Sequence, residues 1–572
     1  MKTWLSLLLL GTSLCATATP AAQPQPAPSP RSPHAGPLPK DLAGDLRYRF
    51  DLHDPTRIHV SLTFRSREGA DILLLPSEWA GETELFRAVS GLHAITPETS
   101  LTPSSNPARW LLRSDRPGRF VSIAYDLVQD WTGPLKHPFE HRAILGPTLF
   151  EFTGQNGLVA PALAAAAPAR VTFDFAGLQP AQALITSFGS DPHQRFRGPW
   201  SEVRNALFTG GALTTRTFNV DGRPVLLGMH GSWSFSPEDI ISRLRNILAT
   251  ERHLWNDTAI PFYAIVIAPY EDPTSGGGGS SFTDVFNLFL ADRQNFSTDT
   301  ASLVAHEAFH QWNPSGLGTV ADTGQIAWFG EGFTRFFQDA VLERAGLIQR
   351  AEYLDRVNAT LKEYLLSPRI RTTNADLQVL PSTDHFSYQE PYLRGSVIAI
   401  WLDYQIAQQT DGRHTLMDLL LALRANRSLP LTADRIFATA GRFVDPATVA
   451  RLRAFALDGV PVPISPGSLG PCVAFHERSA WTFDLGFDAA SLHTAGIVRG
   501  VQQGSNAWQA GVRDGQQLGG FSLWNGNPER EVTLTLRETD GKLEKLSFLP
   551  RGKLLSIPQA EQIPGCTAAP SS

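Results

Sequence analysis

Basic residues do not outnumber acidic ones in this chain. Of 572 residues, 49 are Lys or Arg and 55 are Asp or Glu, a formal charge of -6. A nucleic-acid binder needs a basic surface to meet phosphates, so that class is disfavoured and no nucleic-acid partner is expected. Long apolar runs are lacking too. Beyond the N-terminal segment no stretch reaches the roughly 18 continuous apolar residues of a membrane helix, so no transmembrane span is expected. The chain has no G-x-S-x-G nucleophile elbow, which argues against a serine hydrolase of that type. The glycine run at 276–279 has no following Lys-Ser/Thr, so it is no phosphate loop.

Cysteine is scarce, with only Cys15, Cys472 and Cys566. Cys15 lies inside an apparent export signal. Lys2 supplies the positive start, "WLSLLLLGTSL" an apolar core too short to span a bilayer, and Ala16 and Ala18 the small-residue spacing of a cleavage site. Residues 1–18 are therefore expected to be a signal peptide, and the protein to be periplasmic or secreted. In such a compartment Cys472 and Cys566 form an even pair, and a disulfide between them is expected. Closing so long a loop contributes roughly 4–5 kcal/mol in the chain-entropy picture. The two cysteines flank a terminal segment, which reads as structural and not as a thiol nucleophile.

Low charge (18%), 42% apolar residues and this length imply several well-buried domains. Residues 19–40 are proline-rich and aperiodic, a linker without a packed core. Residues 41–225 alternate in short spans such as "RIHVSLTFRS", which predicts a β-rich domain with no evident catalytic cluster. Past Ser236 the period becomes helical, and "SPEDIISRLRNILATERHLWND" carries a cap, a first-position proline and acids in its first turn. A mainly helical domain is expected over 226–465. After the linker-like "GVPVPISPGSLGP", short strands and glycines predict a small domain at 466–572. The fold class is thus multidomain α+β.

The chemistry concentrates in "SLVAHEAFHQWNP". His306 and His310 are four apart, one turn along a single helix face. Two such imidazoles bind one zinc ion at about 2.0–2.1 Å each. Glu307 then stands beside the metal and is suited to take the proton of an activated water. A hydrolytic zinc site needs a third protein ligand, and Glu331 in "AWFGEGFTRFFQDAVLERAG" supplies a carboxylate at the start of a second helix. Phe333, Phe336 and Phe337 mark that helix's buried face, and Gly346 its end. One catalytic Zn2+ on His306, His310 and Glu331 is the expectation. Tyr392 in "QEPYLRGSVIAIWLD" is a candidate donor to the oxyanion, with Tyr388 the alternative. His385 and His476 lack an evident partner and read as packing or surface residues.

"HEAFHQWN", "WFGEGFTRFF" and "PYLRGSVIAIWLD" together resemble the glycyl aminopeptidase family of zinc metallopeptidases, gluzincins related to the leukotriene-hydrolase-like aminopeptidases. The resemblance implies a β-rich N-terminal domain, a thermolysin-like catalytic domain and a C-terminal PDZ-like domain. It implies zinc on His306, His310 and Glu331, Glu307 as general base, Tyr392 as oxyanion donor and peptides as substrates. It also assigns "LGFD" and "GIVRGVQQGSNAWQAGVRDGQQL" to the PDZ-like domain, which could hold a peptide's C-terminus or act only as a stabilising appendage.

One departure stands out. Relatives carry a Gly-Gly-x-Glu-His type segment whose glutamate anchors the substrate's amino group. Here "YEDPTSGGGGSSFTD" keeps glycines, and Gly277, Gly278 and Gly279 are expected to line the substrate backbone, but Ser280 or Ser281 stands where the glutamate would be. Glu271, Asp272 and Asp284 are the acids on the same loop. Aminopeptidase action follows from the family, endopeptidase or altered exopeptidase action from the missing glutamate. A catalytically silent peptide-binding protein is the reading of another class.

Overall fold

The computed structural model describes residues 44–566, apart from 67–70, 116, 259, 261, 262, 321, 381–383, 493–495 and 538–540. The expected signal peptide and proline-rich linker lie outside the described residues.

The N-terminal region is β-rich, as the alternation predicts. In Arg57–Arg65, Ile58, Val60, Leu62 and Phe64 are buried and the residues between them face outward. This strand sits in a six-stranded sheet, ordered His193–Pro199, Pro168–Ala176, Gly44–Asp51, Arg57–Arg65, Phe120–Val128, Val89–Ala94. Its inner face packs an aromatic core in which Phe50 stacks on Phe175 and Phe152 on Phe208. Each such buried ring contributes roughly 2–3 kcal/mol of apolar burial.

The catalytic region is built on a five-stranded sheet, ordered Leu213–Val220, Arg223–His230, Tyr263–Pro269, Val285–Leu290, Gly277–Phe282. Tyr263–Pro269, "YAIVIAP", is buried at every position. A continuous apolar run is what a strand covered on both faces requires. Ile265, Ile267, Phe286 and Leu288 face the helices. Ala264, Val266, Ala268 and Phe289 face the N-terminal region, against Leu149, Ile185 and Leu207. A boundary at residue 225 would therefore cut a strand, because the hairpin 213–230 pairs into this sheet. Alternation alone assigned that hairpin to the β-rich domain, since local periodicity does not say which sheet a strand joins.

On the helical side, Pro237–Leu254 starts with a capping box between Ser236 and Asp239. Ser297 caps Thr298–Phe309 by accepting from the Thr300 N–H at 3.1 Å. The helices Ala327–Arg344 and His385–Gln409 cross at a glycine pair: a Cβ on Gly395 would lie 1.8 Å from the Trp328 carbonyl oxygen and 2.7 Å from Gly332 Cα. Only glycine lets the two backbones approach so closely. That crossing sets Glu331 against Tyr392's helix. No helix among the described residues is long and apolar enough to cross a membrane.

The stretch expected as a linker near 459–471 has no regular structure, yet it is packed. Val462 and Leu469 are buried, and the Val462 N–H donates to the Tyr364 hydroxyl at 2.8 Å. The C-terminal region is a long antiparallel ribbon, Val473–Phe483 with Arg551–Gln562, and a three-stranded sheet, Gln517–Ser522, Val532–Arg537 and Leu543–Phe548. It has its own core around Phe487, Val498, Val512 and Leu534, with a short helix Asn506–Gln509. Cys472 and Cys566 are joined, with Cα atoms 5.4 Å apart, at the base of the ribbon.

Candidate metal centre and active site

Ala305 and Ala308 bury one face of Thr298–Phe309 in the core, while His306 and Glu307 lie at its last turn and His310 just past it. The helix ends at Phe309, ahead of Asn313-Pro314, as the residue before a proline disfavours helix. Three donor atoms converge there. His306 Nε2 is 3.2 Å from His310 Nε2 and 3.3 Å from Glu331 Oε2, and His310 Nε2 is 3.4 Å from the same oxygen. A tetrahedral ion with bonds of about 2.0–2.1 Å needs ligand atoms about 3.3–3.4 Å apart, so the triangle has the size zinc requires. Among the described residues these three form the one His/Cys/Asp/Glu group able to hold a metal.

The tautomers favour a cation as well. His306 Nδ1 is 2.8 Å from Gln338 Oε1, and His310 Nδ1 is 2.8 Å from the Asn313 carbonyl oxygen. The Gln338 amide is oriented by donating from Nε2 to Ser302 Oγ at 2.9 Å, so its oxygen faces the histidine. Both Nδ1 atoms thus carry the proton, and both Nε2 lone pairs point at one spot beside a carboxylate. Three acceptors crowded together need a positive charge between them. Without one, burial opposes the charging of His310, but Glu331 and then Glu307 outweigh it and raise its pKa to about 9. Burial likewise opposes ionisation of Glu331, but His310 and His306 hold its carboxyl far below the usual range.

Glu307 is buried, and burial first, then Glu331, raises its pKa, against the pull of the two histidines. Gly279 lies against it, since a Cβ there would sit 2.8 Å from Glu307 Cγ. Gly277–Phe282 is the edge strand of its sheet, bonded to Val285–Leu290 on one side only. Along it Gly277 is exposed and Gly278 and Gly279 are half-buried, while Ser280, Ser281 and Phe282 are buried. Tyr392 stands with its ring centroid 6.1 Å from that of His306 and 5.6 Å from that of Tyr388. Burial, then Glu331, keeps its phenol protonated well above the ordinary tyrosine value. His385 is a packing residue edge-on to Phe386, and His476 is exposed at 3.9 Å from Glu561.

The three acids of the glycine loop have partners elsewhere. Glu271 accepts the Leu135 N–H at 2.8 Å, and Asp284 lies beyond the far end of the glycine strand, beside Gln311 at 3.2 Å. The Asp272 N–H donates to the Leu135 carbonyl oxygen, on the same outer loop as Glu271. A residue that sequence reasoning passed over stands nearer. Glu140, from "KHPFEHRAIL" of the β-rich N-terminal region, accepts the Tyr270 hydroxyl at 2.7 Å and lies 2.7 Å from His137 Nδ1. A Cβ on Gly278 would be 2.7 Å from that hydroxyl and 3.6 Å from Glu140 Oε1. Strand side chains at i and i+2 share a face, so Ser280 is on the face that Glu140 approaches. Burial raises the pKa of the Tyr388 phenol, and the charges of Glu331, Glu307 and Glu140 add to it. Burial opposes ionisation of Glu140, but His141, His137 and the Tyr270 hydrogen bond outweigh it and hold its carboxyl below the ordinary range. Its second oxygen, Oε2, is buried without a hydrogen-bond partner. The only sequence signal was a glutamate set between two histidines.

Residues 299–378 match the sequence model of the M61 glycyl aminopeptidase family, a segment that holds both histidines, Glu307 and Glu331. No curated protein matches the chain. Among solved structures, an aminopeptidase N family protein from Idiomarina loihiensis aligns with 90% of this chain and 98% of its own, at 18% identity and a TM-score of 0.67. That likeness extends the shared fold over nearly the whole molecule. The M1 zinc metallopeptidase from Deinococcus radiodurans covers 74% of this chain and 96% of its own at 14% identity and a TM-score of 0.47. Yeast LTA4 hydrolase in complex with bestatin covers 74% and 69% at 12% identity and a TM-score of 0.47.

Proposed function

We propose that this chain, a peptidase whose catalytic segment is of the M61 glycyl aminopeptidase family, is a zinc aminopeptidase that recognises the free amine of its substrate through Glu140. The observation that carries the reading is the pairing of a preformed His306–His310–Glu331 triangle with a buried, half-unsatisfied carboxylate beside the same glycine strand.

When bound, zinc supplies Lewis-acid chemistry, acidifying the attacking water and polarising the scissile carbonyl. His306, His310 and Glu331 hold it, and the rest of the work belongs to other side chains. Glu307 takes the proton of the water and passes it to the leaving amine. Tyr392 donates its O–H to the oxygen on which negative charge develops. The free edge of Gly277–Phe282 pairs with the substrate backbone, and the absence of a side chain at Gly279 leaves room for that backbone beside Glu307. Glu140 Oε2 accepts from the substrate ammonium and does from the N-terminal domain what the lost loop glutamate does in relatives.

The disulfide supports an oxidising compartment, and with the signal-like N-terminus it favours action in the periplasm or outside the cell. The test pairs free and N-acetylated peptides of one sequence. Free peptides should be cleaved and blocked ones spared. Glu140→Gln should raise KM for free peptides by about thirtyfold or more, the cost of about 2 kcal/mol for an ammonium losing its charge partner. Equal cleavage of both substrates would overturn the aminopeptidase reading in favour of endopeptidase or altered exopeptidase action.

A further inference from the structure

The C-terminal domain rests on the start of the helix that carries Tyr388 and Tyr392. A Cβ on Gly526 would lie 3.7 Å from His385 Nε2 and 3.7 Å from Phe386 Cε1, so this loop rests on the first turn of His385–Gln409. Beside it the rings of Phe386 and Phe483 are 5.9 Å apart at 51°. Phe483 ends the ribbon strand Val473–Phe483 and also packs on the core of the terminal domain.

The other end of the ribbon is fixed. The Asn358 side chain donates to the Ala560 carbonyl oxygen at 2.8 Å and accepts the Ala560 N–H at 2.6 Å. Arg350 donates to the Leu469 carbonyl oxygen at 3.0 Å, and Val473 and Ala560 belong to the catalytic core. The ribbon is therefore a brace, rooted on the helix Arg350–Leu366 and bearing on the start of the tyrosine helix.

That start needs bracing. Pro391 lies inside the helix, between Tyr388 and Tyr392. Proline has no N–H, so the helix provides no partner for the Ser387 carbonyl oxygen four residues back. The first turn is joined to the rest by a weakened ladder. Asp384 secures it from below, accepting the Phe386 N–H at 3.2 Å and the Ser387 hydroxyl at 2.6 Å, and itself held by Arg369 Nε at 2.9 Å. The Phe386–Phe483 contact and the Gly526 loop secure it from outside.

We propose that the C-terminal domain positions the catalytic Tyr392, with Phe386 and Phe483 as the positioning residues that transmit its hold to the first turn around Tyr388 and across the Pro391 joint to Tyr392. The inference rests on the reading of Tyr392 as oxyanion donor. The domain then acts as a strut for turnover, and the enzyme needs it whether or not it binds a peptide.

The experiment is a double-mutant cycle in the full-length, zinc-loaded enzyme. Phe386→Ala and Phe483→Ala should each lower kcat between about ten- and a hundredfold, as small misplacements of catalytic groups do, with KM and zinc content unchanged. Phe386→Leu and Phe483→Leu, which keep an apolar contact, should recover most of the rate and keep the test valid where an alanine variant folds poorly. On a Tyr392→Phe background, Phe483→Ala should cost nothing further, because both changes disable one group. Losses that multiply on that background, or that follow melting temperature across the alanine and leucine variants, make the contact merely structural and overturn the proposal. Wild-type kcat in the phenylalanine variants with a slow Tyr392→Phe overturns it too, and leaves the oxyanion donor standing. Wild-type kcat in Tyr392→Phe itself removes the donor reading on which the inference depends.

Discussion

Glu140 and Tyr270 meet across the boundary between the N-terminal and catalytic regions, the phenol donating to the carboxylate at 2.7 Å. Both are buried. This bond engages Oε1, while Oε2 has no hydrogen-bond partner. Tyr270→Phe removes a hydrogen bond to a charged acceptor, a loss of about 1.5–2 kcal/mol. KM for free-amine peptides should rise roughly tenfold, with kcat within about twofold of wild type. Steady-state kinetics on a dipeptide amide measures both, and an unchanged KM would show that Glu140 does not depend on this donor.

Glu307→Gln keeps the shape of the side chain and loses its basicity. Turnover should drop by two or more orders of magnitude with zinc content intact. Metal analysis beside kinetics decides the matter: near-normal activity would take the role of base away from Glu307.

Gln338 holds His306 by its Nδ1 proton and is itself held by Ser302. Loss of such an orienting partner typically weakens metal binding between about ten- and a hundredfold. Gln338→Leu should therefore yield zinc to a chelator at a correspondingly lower concentration, and Glu331→Ala at a lower one still. Retention of zinc through dialysis by Glu331→Ala would strike that residue from the ligand set.

Gly279→Ala puts a methyl group where Glu307 Cγ and Leu288 Cδ2 already stand, at 2.8 and 3.0 Å. Activity should fall more than tenfold while zinc binding persists, since the crowded residue is the base and not a ligand. An alanine variant that works normally would mean that strand and base have slack between them.

Much of this was legible beforehand. The i, i+4 histidines, the cap at Ser236, and the glutamate opening the next helix are local patterns, and local patterns survive folding. Glu140 was not legible, because its role comes from Tyr270, 130 residues away, and nothing in "HPFEHR" alone says which loop it will face. The Gly332–Gly395 crossing escaped notice for the same reason: each glycine alone looks like a tolerated helix residue, and only the pair explains either. The glycine run read as a loop element because glycine has low strand propensity; its partner strand Val285–Leu290, buried throughout, outweighs that weakness.

Glu151 adds a pH dependence. It is buried between the regions, accepting from Asn287 Nδ2 at 2.6 Å with Oε2 unpartnered. Burial, opposed by Asn287 and Thr209, raises its pKa from 4.5 to about 7. The folded state thus holds a proton that the unfolded chain has released, and stability falls as pH rises from about 4.5 to about 7, then levels off. The shift corresponds to roughly 3 kcal/mol at most. Glu151→Gln carries no such charge, so its melting temperature relative to wild type should be higher at pH 8 than at pH 5. An equal difference at both pH values would assign the titration elsewhere.

The Cys472–Cys566 bridge spans a sequence separation of 94 and encloses nearly the whole terminal domain. A protease that nicks one exposed loop inside it produces two polypeptide pieces but not two molecules. The C-terminal piece stays covalently tied through the bridge and hydrogen-bonded to Asn358, with the ribbon still seated on the catalytic helices. Such a chain tolerates a first cut as an assembled enzyme, and sheds its C-terminal piece only when a reductant follows the blade.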